Sequence, residues 1–317
     1  MSAIPRLITV VGATGAQGGG LVRAILDDPD GGFRVRAITR DPTSDKAKAL
    51  AALGADVVQA DLDDARSLKK AFDGAWGAYC VTNYWEHYSP EKEITQAQHL
   101  AEAAFHADVE HVIWSTLEDT RLAVPLDDDR MPTLMGQYKV PHFDAKGYAN
   151  SEFTERDVPT TFLLTSFYWD NLIHFGMSPQ RGADGRLALV LPMADKALPG
   201  IAVADIGKCA YGIFRAGADT IGKTIGVAGE HLTGDEMAGA LSDTLGEPVV
   251  YVAMDPADYR ALGFPGADDL GNMFQYKAEF NDAFRGARDV ATARRLNPEL
   301  LTFRDWLGMH AGELKAA

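Results

Sequence analysis

Short β-branched apolar runs recur through the first half of the chain, each followed by a stretch whose apolar residues fall at helical spacing. The run at 7–11 leads through a glycine-rich turn to Leu21, Val22, Ile25 and Leu26. The same alternation predicts strands at 33–39, 56–59, 78–82, 111–114 and 160–165. Between them it predicts helices at 45–53, 65–72, 90–106 and 142–156. Strands that alternate with helices through short connections pair in parallel by right-handed crossovers. The expected fold class is therefore α/β, a doubly wound parallel Rossmann sheet with a smaller C-terminal α+β region.

Beyond Ser166 the pattern changes to short strands, such as 186–191, mixed with helices opened by capping boxes, Thr233 with Glu236 and Thr302 with Asp305. We read 1–165 as the dinucleotide-binding domain and 166–317 as a smaller substrate or partner region to which the chain adds, with some C-terminal elements returning to the first. The Asp/Pro/Met-rich stretch 127–136 is polar and turn-rich and follows the fifth strand, where such sheets bind ligands, so a mobile lid is expected there.

Composition narrows the partners. With 46% apolar and 24% charged residues the chain is an ordinary globular one. A net charge of -15 without a basic stripe repels phosphate backbones, which argues against direct nucleic-acid binding. Cys80 and Cys209 stand far apart in apolar segments and read as buried thiols in a reducing compartment. The apolar run at 8–11 breaks at Gly12, too short for a signal sequence, and no stretch has the length of a membrane span, so a cytoplasmic location is expected.

The first strand runs into Gly12, Ala13, Thr14, Gly15, Ala16, Gln17 and Gly18, a G-x-x-G-x-x-G turn that opens a helix. Glycine lets the backbone approach a pyrophosphate, whose charge the helix N-terminus stabilises. At the end of the second strand, where an acidic residue would hold a ribose 2′-hydroxyl, the chain has Arg40, so NADP(H) is preferred over NAD(H), with Lys46 as a further cation. Asp61 and Leu62 after the third strand, and Thr82, Asn83 and Tyr84 after the fourth, fall at the carboxyl edge beside adenine and ribose, although each suits a loop equally well.

The segments VVGATGAQGG, ITRDP, GADVVQADLDD, VTNYWE, HFDAKG, GFPGADDLGNMF and RRLNPELLTFRDWL together resemble the NmrA-like family of atypical short-chain dehydrogenases, close to its mammalian NADPH-sensor branch. The resemblance implies an NADP-binding Rossmann domain, a cofactor site that includes Lys146, a homodimer, and a redox or cofactor sensor that acts through a regulatory protein partner. In short-chain dehydrogenases a Tyr-x-x-x-Lys pair does the acid–base work. This chain has Lys146 in the lysine slot and His142 in place of the tyrosine.

Ser115 ends the fifth expected strand, where the family's substrate-polarising hydroxyl stands, and Tyr138 is a second candidate proton donor. Three readings follow, of which one, a scaffold that no longer binds nucleotide, is opposed by the intact glycine turn. Without the tyrosine the cleft reports cofactor state and performs no chemistry. Alternatively His142 or Tyr138 supplies the proton in an NADPH-dependent oxidoreductase of quinones or other small planar conjugated acceptors, in secondary metabolism. Phe167 and Tyr168, after the sixth strand, lie where an aromatic ring stacks on the nicotinamide or an acceptor, or packs as core. Neither H-E-x-x-H nor G-x-S-x-G occurs, which argues against a metal site and a hydrolase.

Overall fold

In the computed structural model, which describes residues 4–182 and 184–315, strands and helices alternate through the first half as the pattern requires. They run β1 (Arg6–Val10), α1 (Ala16–Leu26), β2 (Phe33–Thr39), α2 (Asp45–Ala52), β3 (Asp56–Gln59), α3 (Ala65–Phe72) and β4 (Gly77–Cys80). Next come α4 (Pro90–His106), β5 (His111–Thr116), α5 (Pro141–Tyr148), α6 (Asn150–Thr154) and β6 (Thr160–Leu164). The second half holds β7 (Phe167–Tyr168), α7 (Asn171–His174), β8 (Gln180–Arg181), β9 (Leu187–Leu191), β10 (Leu198–Ile201), α8 (Val203–Ala216), β11 (Thr224–Gly226) and β12 (Glu230–Leu232). It closes with α9 (Gly234–Leu245), β13 (Val249–Ala253), α10 (Pro256–Ala261), α11 (Ala267–Glu279), α12 (Asn281–Gly286), α13 (Val290–Leu296) and α14 (Phe303–Leu314). Of the two expected regions, residues 1–3 of the first and 183 and 316–317 of the second lie outside the described residues.

Seven parallel strands form the main sheet in the order β11-β6-β5-β4-β1-β2-β3, a doubly wound α/β architecture. Side chains alternate between its faces. Ile8, Val10, Tyr79, Ile113 and Leu163 pack under α1 and α8, while Val11, Ala78, Cys80, Val112 and Trp114 pack under α3, α4 and α6. Both cysteines are buried free thiols. Helix α8 lies against α1 because the crossing is built from small residues: a Cβ on Gly207 would stand 2.1 Å from the Leu21 nitrogen. Two three-stranded sheets, β12-β10-β7 and β13-β9-β8, and the remaining helices enclose a separate core around Trp169, Phe274, Phe303 and Trp306.

The structure departs from the sequence reading at four places. Strand β4 ends at Cys80, which frees Val81 and Thr82 to face the cleft. Strand β5 continues to Thr116, which puts Ser115 inside the sheet opposite Leu163. The helix expected over 142–156 breaks at Ala149, because the Asn150 side chain turns to accept from Trp114 Nε1 at 3.0 Å and Thr116 Oγ1 at 2.7 Å. The stretch expected to be a mobile lid is instead pinned: Met131 is fully buried, and Asn272 and Gln275 of α11 donate to the carbonyls of Pro132 at 2.9 Å and Arg130 at 2.7 Å. Among the described residues, none of 127–136 lines the cleft.

Candidate cofactor and active site

One cleft of about 1360 Å³ runs from the glycine turn at the carboxyl edge of the sheet into the C-terminal region. At its first end Gly12 takes φ +63°, a left-handed conformation that favours glycine. A Cβ on Gly18 would meet the Gly12 carbonyl at 2.5 Å, so the helix starts hard against the turn. Helix α1 begins at Ala16 with no side-chain cap and no acidic residue in its first turn, which leaves its N-terminal N–H groups for an anion. Gly12, Thr14, Gly15, Ala16, Gln17 and Gly18 all line this end. This donor set fits the pyrophosphate of a dinucleotide.

Arg40 follows β2 at the rim, where its guanidinium grips the Glu86 carboxylate through two bonds of 2.9 and 3.0 Å, both side chains well exposed. Lys46, Asp61, Leu62, Asn83 and Tyr84 line the same stretch. The Asp61 carboxylate accepts the Asp63 N–H at 3.0 Å, and Asn83 Nδ2 donates to Glu86 at 3.3 Å. Gln17 is spent on a tie across the fold: its amide donates to the Tyr168 hydroxyl at 2.6 Å, and its carbonyl accepts from Tyr79 and, at 2.8 Å, from Ser115.

Where the two halves of the cleft meet, Lys146 of α5 donates to the Thr82 hydroxyl at 2.6 Å and carbonyl at 3.1 Å and pairs with Glu93 Oε1 at 2.7 Å. Thr82 in turn donates to Glu93 at 2.6 Å, and His87 Nε2 stands 3.3 Å from the other carboxylate oxygen. The Ser89 N–H donates to His87 Nδ1, which leaves the ring proton on Nε2, facing Glu93. Glu93 is completely buried. Burial alone would raise its pKa, but the Lys146 charge, the His87 ring beside it and the bonds from Lys146 and Thr82 outweigh that and hold it at about 2.

Beside Lys146, His142 lines the cleft with its Nδ1 2.5 Å from Asp269 Oδ1, and its backbone N–H donates to Oδ2 at 3.2 Å. Asp269, buried on α11, thus orients the ring with Nδ1 towards its carboxylate and leaves Nε2 without a bond to it. Trp85 packs on the imidazole with ring centroids 4.8 Å apart, and Tyr84 at 5.9 Å. Past this pair the cleft is walled by Phe143, Phe167, Phe175, Met177, Tyr259, Phe264, Leu270 and Met273, with one buried cation, Lys277. Such a chamber suits a flat apolar ligand with few polar contacts.

Of the expected site residues, the glycine turn, Arg40, Asp61, Leu62, Thr82, Asn83, Tyr84, His142, Lys146, Phe167 and Tyr168 share this cleft. Ser115 and Tyr138 do not line it. Ser115 is held inside β5 by Gln17, and the buried Tyr138 points its hydroxyl towards Glu91, 3.5 Å away, under the Arg121 guanidinium. Sequence reasoning missed Glu93, Asp269, Lys277 and the role of Trp85 at the cleft. The available signal was a charge in a buried helical stripe: Glu93 lies in register with Ala97, Leu100 and Ala104, and Lys277 with Met273 and Phe274. Among the described residues no group of three or more His, Cys, Asp and Glu is placed to hold a metal ion, and no helix is long and apolar enough to cross a membrane.

The sequence model of the NmrA-like family matches residues 5–307. An NmrA-like family domain-containing oxidoreductase of Malbranchea aurantiaca is 31% identical over 95% of this chain and 96% of its own length. Another, of Penicillium ochrochloron, is 27% identical over 96% and 98%. Among solved structures, the negative transcriptional regulator NmrA in complex with NADP superposes with a TM-score of 0.78, at 23% identity over 96% of this chain and 95% of that one. Citrobacter sp. triphenylmethane reductase complexed with NADP(H) gives 0.75, at 20% identity over 95% and 99%. An Escherichia coli NADPH-dependent quinone oxidoreductase gives 0.70, at 21% identity over 95% and 98%. The curated relatives are fungal NmrA-like oxidoreductases, rather than the mammalian sensor branch to which the motifs pointed.

Proposed function

Because the chain belongs to the NmrA-like family, we propose that it is an NADP(H)-dependent oxidoreductase of quinones or other planar conjugated acceptors. The observation that carries this reading is the continuity of the cleft: the dinucleotide turn opens directly onto an apolar chamber guarded by a buried His142–Asp269 pair. The oxidoreductase names of the full-length relatives support it, as do the quinone and dye reductases that share the fold. They favour it over the sensor role implied by the initial resemblance.

The free N–H groups of α1 would hold the pyrophosphate, Arg40 and Lys46 the 2′-phosphate, and Lys146 with Thr82 the nicotinamide-side ribose hydroxyls. Bound in its reduced form, the dinucleotide supplies hydride. Lys146 spends its three N–H donors on Glu93 and on the Thr82 hydroxyl and carbonyl, so a ribose hydroxyl would replace the longest of these, the 3.1 Å bond to the Thr82 carbonyl, while the other two hold the side chain in place. His142, held by Asp269, keeps Nε2 as a proton donor or acceptor at the acceptor's oxygen, and Trp85 and Phe143 shield it from water. Apolar walls position a flat acceptor and leave the transfer of charge to these few polar atoms.

The deciding experiment follows NADPH absorbance with a panel of naphthoquinones, aromatic aldehydes and conjugated ketones, with NADPH affinity titrated by fluorescence on the same sample. Turnover that disappears with His142→Gln while affinity stays is the expected result. Tight NADPH binding without turnover on any acceptor would overturn the reductase reading. It would return the chain to the sensor reading, which the likeness to the NADP-bound transcriptional regulator favours.

A further inference from the structure

Lys277 is the one cation that lines the apolar chamber among the described residues, and it is 4% exposed. Its ammonium sits in a cage of three aromatic rings, 5.5 Å from the centroids of Phe143 and Phe274 and 5.4 Å from that of Phe284. Among the described residues its only hydrogen-bond partner is the thioether of Met273, at 3.2 Å, a weak acceptor. The carboxylate whose charge acts on it, Glu118, two residues past β5, is already gripped by Arg288 through bonds of 2.5 and 3.0 Å.

An ammonium buried without an oxygen partner is costly, and a methionine would fill the same space at no such cost. Packing therefore does not explain it. On the reductase reading of this cleft, we propose that Lys277 receives the carboxylate or phenolate oxygen of a planar aromatic ligand, so that the chamber selects anionic aromatics. The rings that line the chamber, Phe143, Phe167 and Tyr259, and the ammonium together match such a ligand: the rings cover its face and the amine takes its oxygen.

The groups that face Lys277 set its charge. Burial and the Arg288 guanidinium, set between α12 and α13, lower its pKa, Glu118 opposes them, and the outcome is about 7. The His142–Asp269 pair, hydrogen-bonded to each other, stands on α5 and α11. An anionic ligand needs the protonated amine, so affinity is full below about pH 7 and falls as pH rises, by at most about tenfold per unit.

The test is a binding titration of the full chain, with and without NADP⁺, using 2-naphthoate and its uncharged twin 2-naphthamide, read by quenching of tryptophan fluorescence at Trp85. At about pH 6 naphthoate is expected to bind at least about tenfold more tightly than naphthamide. The preference should vanish near pH 9 and in Lys277→Met, which keeps naphthamide binding, and should persist in His142→Gln. Equal binding of the two probes, no saturable binding of naphthoate, a preference unchanged by pH, or one lost with His142→Gln instead would each overturn the proposal. The pH series on the unmutated chain decides the matter even where Lys277→Met does not fold. No turnover is measured, so an inactive protein that prefers naphthoate would sink the reductase reading and leave Lys277 standing.

Discussion

The two ends of the cleft handle charge in opposite ways. At the dinucleotide end Arg40 meets Glu86 in solvent, with 64% and 47% of the side chains exposed, and the helix N-terminus is open. Around the chamber the pairs Lys146–Glu93 and His142–Asp269 are almost wholly enclosed, and the fully buried Arg288 pairs with a partly exposed Glu118. Exposed pairs are worth little and exchange partners readily, whereas each buried charge depends on its mate. The first end is therefore built to trade its counter-ions for a ligand's, and the second to hold a few groups in fixed positions while a ligand comes and goes.

The sharpest way to break this contrast is at His142. His142→Gln should lower kcat about 100- to 10,000-fold while NADPH affinity stays within about twofold, in steady-state kinetics paired with fluorescence titration. An equal loss in both would make His142 part of the cofactor site. Lys146→Met should unfold the protein more easily by about 3–5 kcal/mol in urea, because it strands the buried Glu93 carboxylate. Lys146→Met combined with Glu93→Gln should recover most of that. In the unaltered chain the Glu93 carboxyl is held at about 2 against an ordinary 4.5, so its share of stability is complete above about pH 4.5 and is lost as pH falls towards 2. An acid titration that is flat over this window in the wild type would show that the pair does not set stability.

Smaller effects belong to the exposed end. Arg40→Ala should weaken NADPH by about tenfold or more and NADH hardly at all; equal losses would reduce Arg40 to a surface charge. Smallest and opposite in sign is Lys277→Met. The folded chain holds the Lys277 proton only below about 7, against an ordinary 10.5, so below pH 10.5 folding works against that charge. The variant should melt roughly 2–4 °C higher at neutral pH and show no gain in strong alkali. A lower melting temperature at neutral pH would mark Lys277 as part of the packing.

Much of the first end could be read in the chain because its determinants are local. Strands over Phe33–Thr39 and Asp56–Gln59 and helices over Ala65–Phe72 and Pro90–His106 fall where periodicity puts them. The glycine turn and Arg40 carry their meaning in spacing alone. The chamber could not be read that way, since its partners meet from distant segments: Asp269 reaches His142 across 127 positions, and Arg288 reaches Glu118 across 170. Ser115 was misplaced by the two residues that β5 adds, and the 127–136 segment by its ties to α11, neither of which leaves a mark in local composition.

The small-residue crossing of α1 and α8 bears on how the cleft can move. The chain leaves the main sheet after β6, returns to lay α8 across α1 and run on into the edge strand β11, and after β12 to α12 returns again to pack α13 against α8. The two walls are thus stitched together by several passes of the backbone, and Gly207 seats one of those stitches against Leu21 with no room for a side chain. A fragment cut after residue 165 would lack both the cover of one sheet face and an edge strand. Opening the cleft would have to bend every pass at once, so ligands exchange by the play of side chains at the rim rather than by a swing of one half about a single joint.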